Sequence, residues 1–243
     1  MLLGPAGPSL RPASSPLPGL KGLAAQGLDS RKKKGPRYPF AAPFALTTFD
    51  PANKNANVVL SGDNLRTAQN GSENSWCAAK GTVSRSTGKL YFEAVPSGGG
   101  TTSMIGIGRD TQSLANGIFT GHVGGIGYWF AGGVYRNGTG NITAGVNPAS
   151  GLVGVAVDLD AQLFWWLNNA NLAAGWNNDP IADPAKGLGG LDISMLGAKG
   201  LAYFPSSSPA TGSSYGANET TANFGATPFA GLQPEGFCAW NGY

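Results

Sequence analysis

Two carboxylates two residues apart, Asp158 and Asp160, are the pair in this chain best spaced for acid–base chemistry. On a regular strand such residues share a face, and carboxyls held about 5–10 Å apart are what glycoside hydrolysis uses. Both fall where the apolar run Val153-Gly-Val-Ala-Val-Asp158 gives way to a turn. Aspartate at such a place commonly accepts hydrogen bonds from its own backbone, so a turn is expected there, not an active site. Glu93, set between Phe92 and Ala94, is expected to pair with a basic side chain across a sheet. The single histidine, His122, lies in Gly121-His-Val-Gly-Gly-Ile-Gly127. It has no Cys or His at ligand spacing and no Gly-x-Ser-x-Gly elbow accompanies it, which makes it a loop histidine. The spaced acidic loop of a calcium site is missing. The glycines at 106, 108, 121, 124, 125 and 127 open no helix that would cradle a phosphate. No catalytic residue, metal or cofactor is expected, and the chain reads as a non-enzyme.

What remains is a contact surface. Tyr and Trp supply rigid area with a polar tip, and Asn supplies adaptable hydrogen bonding. Tyr128, Trp129, Tyr135, Asn137, Trp176 and Asn177 lie in or beside strand ends and loops and form the expected ligand-binding rim. Phe130 sits among them. Alternation sends at least half of these aromatics inward. Trp165 and Trp166 illustrate it: adjacent on a strand, they face opposite sides, so one belongs to a core. The best single candidate for an exposed reader is Trp176, in the loop 171–183.

The elements that must position these residues are short strands between turn signals, as in a sandwich. Val58-Val-Leu60 reads as the first, then 65–67. Asn70-Gly71 is a tight-turn dipeptide, and 76–83 follows. Further strands are expected at 88–95, 104–108, 127–135, 139–143, 153–159, 163–167, 201–205 and 221–224, with a last apolar strand after Pro234-Glu-Gly236. Residues 171–199 form a long excursion rich in Gly, Asn, Asp and Pro. Thirty-nine glycines, 10% aromatics and only 12% charged residues agree with an all-β chain. No apolar run reaches the ~18 residues of a membrane helix. Met1-Leu-Leu-Gly-Pro5 lacks the basic lead and apolar core of a secretory signal.

Residues 1–45 differ from the rest. Prolines at 5, 8, 12, 16, 18, 36, 39 and 43 break any helix or central strand. The segment holds seven basic residues against one acid, Asp29, while the remainder has nine basic and twelve acidic residues. A basic arm beside an acidic domain is expected to meet a negative surface. Leu20, Leu23 and Leu28 would serve as apolar anchors, and Arg31, Lys32, Lys33, Lys34 and Arg37 as an electrostatic clamp. No aromatic beyond Tyr38 is interleaved with the basic run to stack bases, so an acidic protein surface suits the arm better than nucleic acid.

The closing stretch Thr221-Ala-Asn-Phe-Gly-Ala-Thr-Pro-Phe-Ala-Gly-Leu-Gln-Pro-Glu-Gly-Phe-Cys-Ala-Trp-Asn241 resembles the end of the SPRY domains found in tailed-phage structural proteins. Four upstream blocks fit the same family in order: Gly88-Lys-Leu-Tyr-Phe-Glu-Ala-Val95, Ile105-Gly-Ile-Gly108, Gly127-Tyr-Trp-Phe-Ala-Gly-Gly-Val-Tyr-Arg-Asn-Gly138, and 153–160 running into 163–166. The resemblance implies a SPRY-like antiparallel β-sandwich over 46–243, carried on an extended Pro-rich arm over 1–45. It implies a phage virion protein, an accessory tail or tail-fibre component anchored to other virion proteins through the arm. The sandwich loops would then contact a host surface glycan or protein, with many copies in a symmetric assembly on the particle, put together in the host cytoplasm. The alternative is a head decoration or connector protein that binds only other virion proteins. Such sandwiches pair their terminal strands, which would bring Cys77 and Cys238 near each other. Two reduced thiols are the default, with a disulfide left open. The 171–199 excursion is longer than the family leads one to expect.

Overall fold

Apolar residues alternating with small or polar ones produce sixteen short strands among the described residues. These are β1 (Phe49–Lys54), β2 (Val58–Ser61), β3 (Arg66–Gln69), β4 (Ser75–Trp76), β5 (Ala79–Gly81), β6 (Lys89–Ser97), β7 (Ser103–Arg109) and β8 (Gly125–Trp129), followed by β9 (Gly133–Arg136), β10 (Asn141–Ala144), β11 (Val153–Asp158), β12 (Leu163–Asn168), β13 (Leu191–Asp192), β14 (Tyr203–Thr211), β15 (Glu219–Asn223) and β16 (Cys238–Ala239). The computed structural model describes residues 46–70, 75–98, 102–115, 124–136, 141–144, 151–211 and 218–242. All of them fall in the unit Ala42–Tyr243. The basic arm, His122 and Asn137 lie outside the described residues.

The strands form two eight-stranded sheets. Sheet I runs β1-β5-β14-β7-β8-β9-β10, with β4 also on β14. Sheet II runs β13-β12-β11-β6-β15-β3-β2, with β16 also on β6. Strands pair antiparallel except β16, which lies parallel to β6 with Cys238 opposite Leu90. The all-β antiparallel sandwich expected from the sequence is therefore the architecture observed.

Strict alternation assigns the faces. In β6 Leu90, Phe92 and Ala94 point inward, and in β11 Val153, Val155 and Val157 do, all within one buried cluster. From sheet I, Ile105, Ile107, Ile126 and Tyr128 meet them. Tyr128 stacks on Trp166 with ring centroids 4.3 Å apart and planes 21° from parallel, joining the two sheets. Phe224 packs edge-on to Phe49 at 5.3 Å and tilted to Phe92 at 5.7 Å. Trp240 stands perpendicular to Phe92 at 5.7 Å. Polar contacts cross this core between the hydroxyls of Thr67 and Ser207, 2.8 Å apart, and from Gln69 Nε2, which donates to Cys77 Sγ at 3.1 Å.

Part of the outer face of sheet II, over β6, β11 and β12, is buried too. Tyr91, Ala156, Trp165 and Phe237 make a second apolar cluster there, edged by Leu163, Trp176 and Phe229. Trp165 and Trp166 thus face opposite sides as expected, yet both are buried, each in its own core. The covers are the excursion after β12, a series of 3₁₀ turns, and the chain between β15 and β16. The end of the excursion also ties the sheets together: Arg109 donates from Nη1 to the Leu196 carbonyl at 3.2 Å, and Arg136 from Nη1 to the Asp192 carbonyl at 2.6 Å.

Two expectations need correction. The first strand is β1, ahead of Val58. Asp50, Pro51 and Asn53 hide it in the sequence, and it is possible because β1 lies at a sheet edge, where proline is tolerated. The cysteines are not brought together through paired terminal strands: Cys77 is buried beside sheet I, Cys238 is exposed on β16 in sheet II, and neither forms a disulfide. The two ends meet instead through the Thr47 N–H, which donates to Asn241 Oδ1 at 2.7 Å. No helix among the described residues is long and apolar enough to cross a membrane.

Candidate binding hollows along the closing segment

The stretch from Phe224 to Trp240 is fixed at both ends and arched between them. Phe224 and Trp240 are fully buried. The Trp240 indole donates to the Val83 carbonyl at 2.8 Å, and Arg85 donates twice to the Trp240 carbonyl, at 3.0 and 2.8 Å. After β15 the chain turns on Asn223. Its Oδ1 accepts from Gly225 N–H at 3.0 Å, and its Nδ2 donates to the carbonyls of Thr227 and Pro228 at 3.1 and 3.3 Å. The second turn rests on the Phe237 N–H, donating to the Pro234 carbonyl at 3.2 Å, and on Gln233 Nε2, donating to the Phe237 carbonyl at 2.6 Å.

The middle of the arch is clasped by Glu93. Its Oε2 accepts from Ala230 N–H at 3.0 Å, and its Oε1 accepts from Gly231 N–H at 2.6 Å and from the Tyr91 hydroxyl at 2.9 Å. A Cβ on residue 231 would stand 2.9 Å from Glu93 Oε1 and 2.8 Å from Leu152, so glycine is what lets the backbone approach. Gly154, opposite Glu93 on β11, plays the same part for the ring: a Cβ there would lie 2.6 Å from the Tyr91 hydroxyl oxygen. Burial, then the charge and hydrogen bond of Glu93, push the Tyr91 phenol far above its ordinary value. The expected partner of Glu93, a basic side chain across the sheet, is replaced by backbone N–H groups 137 and 138 residues away.

Two hollows flank the arch and share Thr227. The larger, of about 640 Å³, is lined by Leu46, Gly225, Ala226, Thr227, Pro228, Phe229, Gly231, Gln233 and Ala239. It carries no charged side chain. The smaller, of about 230 Å³, is lined by Leu65, Glu93, Ala94, Val95, Leu152, Thr221, Ala222, Asn223 and Thr227. Its one charged group is Glu93.

No family model and no curated protein matches the chain. Among solved structures, it is similar to the SPRY domain of human HERC1 at 12% identity and a TM-score of 0.49, over 74% of this chain and 99% of that one. It is similar to the TRIM65 PSpry domain at 14% identity and a TM-score of 0.48, over 73% and 91%. A human SPRY domain follows at 14% identity and 0.45, over 71% and 98%. These are likenesses of fold, to the family that the sequence blocks resemble, and they do not bear on a phage setting.

The residues expected to form one rim are scattered. Tyr128 is fully buried against Trp166 and cannot touch a ligand, because its side of β8 faces the other sheet. Burial raises its phenol as well. Trp129 and Tyr135 are half-buried on the outer face of sheet I, edge-to-face at 5.9 Å, around Met104 and Ala78. Trp176 and Asn177 belong to the opposite layer. Trp176 is half-buried and meets the edge of Tyr91 at 6.5 Å, so it helps roof the second core. Asn177, at φ 53°, pins the excursion: it accepts from Trp166 N–H at 2.9 Å and donates to the Gly189 carbonyl at 2.8 Å. Asn137 lies outside the described residues.

The carboxylate pair behaves as turn residues do. Asp158 accepts from Ala161 N–H at 2.8 Å and stands 3.8 Å from Lys89, while Asp160 accepts from Gly88 N–H at 2.9 Å. No group of three or more His, Cys, Asp or Glu side chains suited to a metal occurs among the described residues. The residues the sequence reading missed are Thr227, Phe229 and Gln233, and Glu93 as a clasp. The only available signal was the closing block itself, which was read for its family resemblance and not for its surface.

Proposed function

We propose that this chain is a binding module of a tailed-phage virion, an accessory tail or tail-fibre component held to the particle by its basic N-terminal arm. The observation that carries the binding reading is the pair of hollows beside the clasped closing segment. The closing block that carries the family resemblance supplies most of the larger hollow's wall and part of the smaller's, and each carboxylate nearest to a catalytic arrangement accepts from a backbone N–H. The larger hollow, uncharged and edged by Phe229, Thr227 and Gln233, suits a neutral ligand such as a surface glycan or an exposed peptide. The phage setting rests on the sequence resemblance and on the charge of the arm. Contacts of this kind are weak singly and strong in many copies.

The test is saturable binding of the full-length chain to host cells, beside Ala226→Trp, an exposed residue that lines the larger hollow only. Cell binding that Ala226→Trp reduces at least tenfold supports the reading. No binding to cells, with full-length chain docking onto particles that lack it and arm-deleted chain failing to dock, would replace it with the head decoration or connector role.

A further inference from the structure

Glu93 is a buried charge without a counter-charge. The residue is 2% exposed, and its donors are one hydroxyl and two backbone N–H groups. No Lys or Arg among the described residues forms an ion pair with it; those pairs are Arg66 with Glu219, Lys89 with Asp158 and Lys186 with Asp183. An ionised carboxylate offers about four acceptor positions, and the three donors leave one open, on Oε2. A charge buried beside apolar walls is costly until it is paired. This one lines a hollow of about 230 Å³ whose other walls are Leu65, Val95, Leu152 and short uncharged side chains.

We infer that the smaller hollow receives a single basic side chain, Lys or Arg, from a partner protein. The cationic head would meet Glu93 at the base, and the methylene stem would lie along Val95 and Leu152, as long cationic side chains commonly do against apolar surface. The hollow is smaller than the roughly 300–1,000 Å³ of ordinary small-molecule sites and suits one side chain. Val95, 37% exposed, lies at its mouth, and Leu232, 58% exposed, follows the Gly231 that abuts Leu152. An apolar rim around a desolvated charge is the arrangement in which an inserted Arg anchors an interface. The inference rests on the reading of the chain as a binding module and names what its smaller hollow recognises.

The probe is n-butylammonium chloride, titrated into the full-length chain while the amide signals of Ala230 and Gly231 are followed by NMR. n-Butanol and KCl at equal concentrations serve as controls. The expected result is saturable movement of those two amides with the amine, at least tenfold weaker with the alcohol and absent with KCl. Thr227→Trp, at an exposed residue shared by both hollows, should weaken amine binding at least tenfold while leaving the circular dichroism unchanged. Glu93→Gln, if it folds, should abolish it. Equal response to butanol, equal response to potassium, or no saturation each overturns the inference. A chain that binds host cells yet ignores the amine keeps the binding-module reading and loses this one.

Discussion

Removing one oxygen from the clasp isolates its worth. Tyr91→Phe keeps the ring, with its edge-to-face contacts to Phe229 at 4.8 Å and Trp176 at 6.5 Å, and deletes only the hydroxyl that donates to Glu93 at 2.9 Å. Tyr91 is fully buried and Glu93 nearly so, so solvent does not dilute the bond. A hydrogen bond to a charged group contributes about 1.5–3 kcal/mol, and here the loss leaves the carboxylate with two donors. The expected destabilisation is about 2 kcal/mol, which for a domain of this size lowers Tm by roughly 4–8 °C. Urea unfolding followed by tryptophan fluorescence should show a lower midpoint at unchanged slope. Coupling supplies the stricter check: because the two side chains act on each other, Tyr91→Phe and Glu93→Gln must be non-additive by more than about 0.5 kcal/mol. A loss below about 0.5 kcal/mol, or full additivity, would refute the clasp.

Other consequences are as direct. The buried phenols of Tyr91, Tyr128 and Tyr203 have folded-state pKa values raised above the ordinary 10.0. Their contribution is therefore complete below pH ~10 and is lost as pH climbs above it, where only the unfolded chain ionises; urea midpoints should fall above pH ~10, less steeply in Tyr128→Phe. Gly154→Ala should cost about 1–3 kcal/mol by overpacking against the Tyr91 hydroxyl, and less in a Tyr91→Phe background, as urea unfolding would show. Asn177→Ala removes the side chain that holds the excursion to β12, so limited proteolysis should cut within 171–190 several-fold faster while the far-ultraviolet spectrum stays the same. With a thiol reagent, Cys238 should react in the native protein and Cys77 only on unfolding, in keeping with their exposed and buried positions.

Much of the sandwich could be read from local pattern. The β-branched run of β11, the aromatic run of β12 and the Asp158–Asp160 turn carry their reasons in neighbouring residues. Facing was harder. Alternation separates Tyr128 from Trp129 and Trp165 from Trp166, but it does not say which member is buried when both faces of a sheet are covered. The second core under the excursion was hidden for that reason, and Trp176 was taken as an exposed reader when it helps roof that core. The Glu93 clasp was beyond local reasoning altogether, because its backbone donors stand 137 and 138 residues further along the chain. β1 was missed because proline and asparagine speak against a strand everywhere except at an edge.

The strand order has a temporal consequence. In sheet I, β14 sits between β5 and β7, and in sheet II, β15 sits between β6 and β3. Each sheet therefore stays in two pieces until a strand from the last fifth of the chain slides into the gap, and the Thr47–Asn241 tie closes a separation of 194 residues. So high a contact order places refolding in the slow range typical of β-sandwiches, on the order of milliseconds to seconds. A chain still on the ribosome and short of residue 203 presents four unpaired sheet margins facing the two gaps, which makes this domain prone to aggregate during synthesis and dependent on prompt completion or a chaperone.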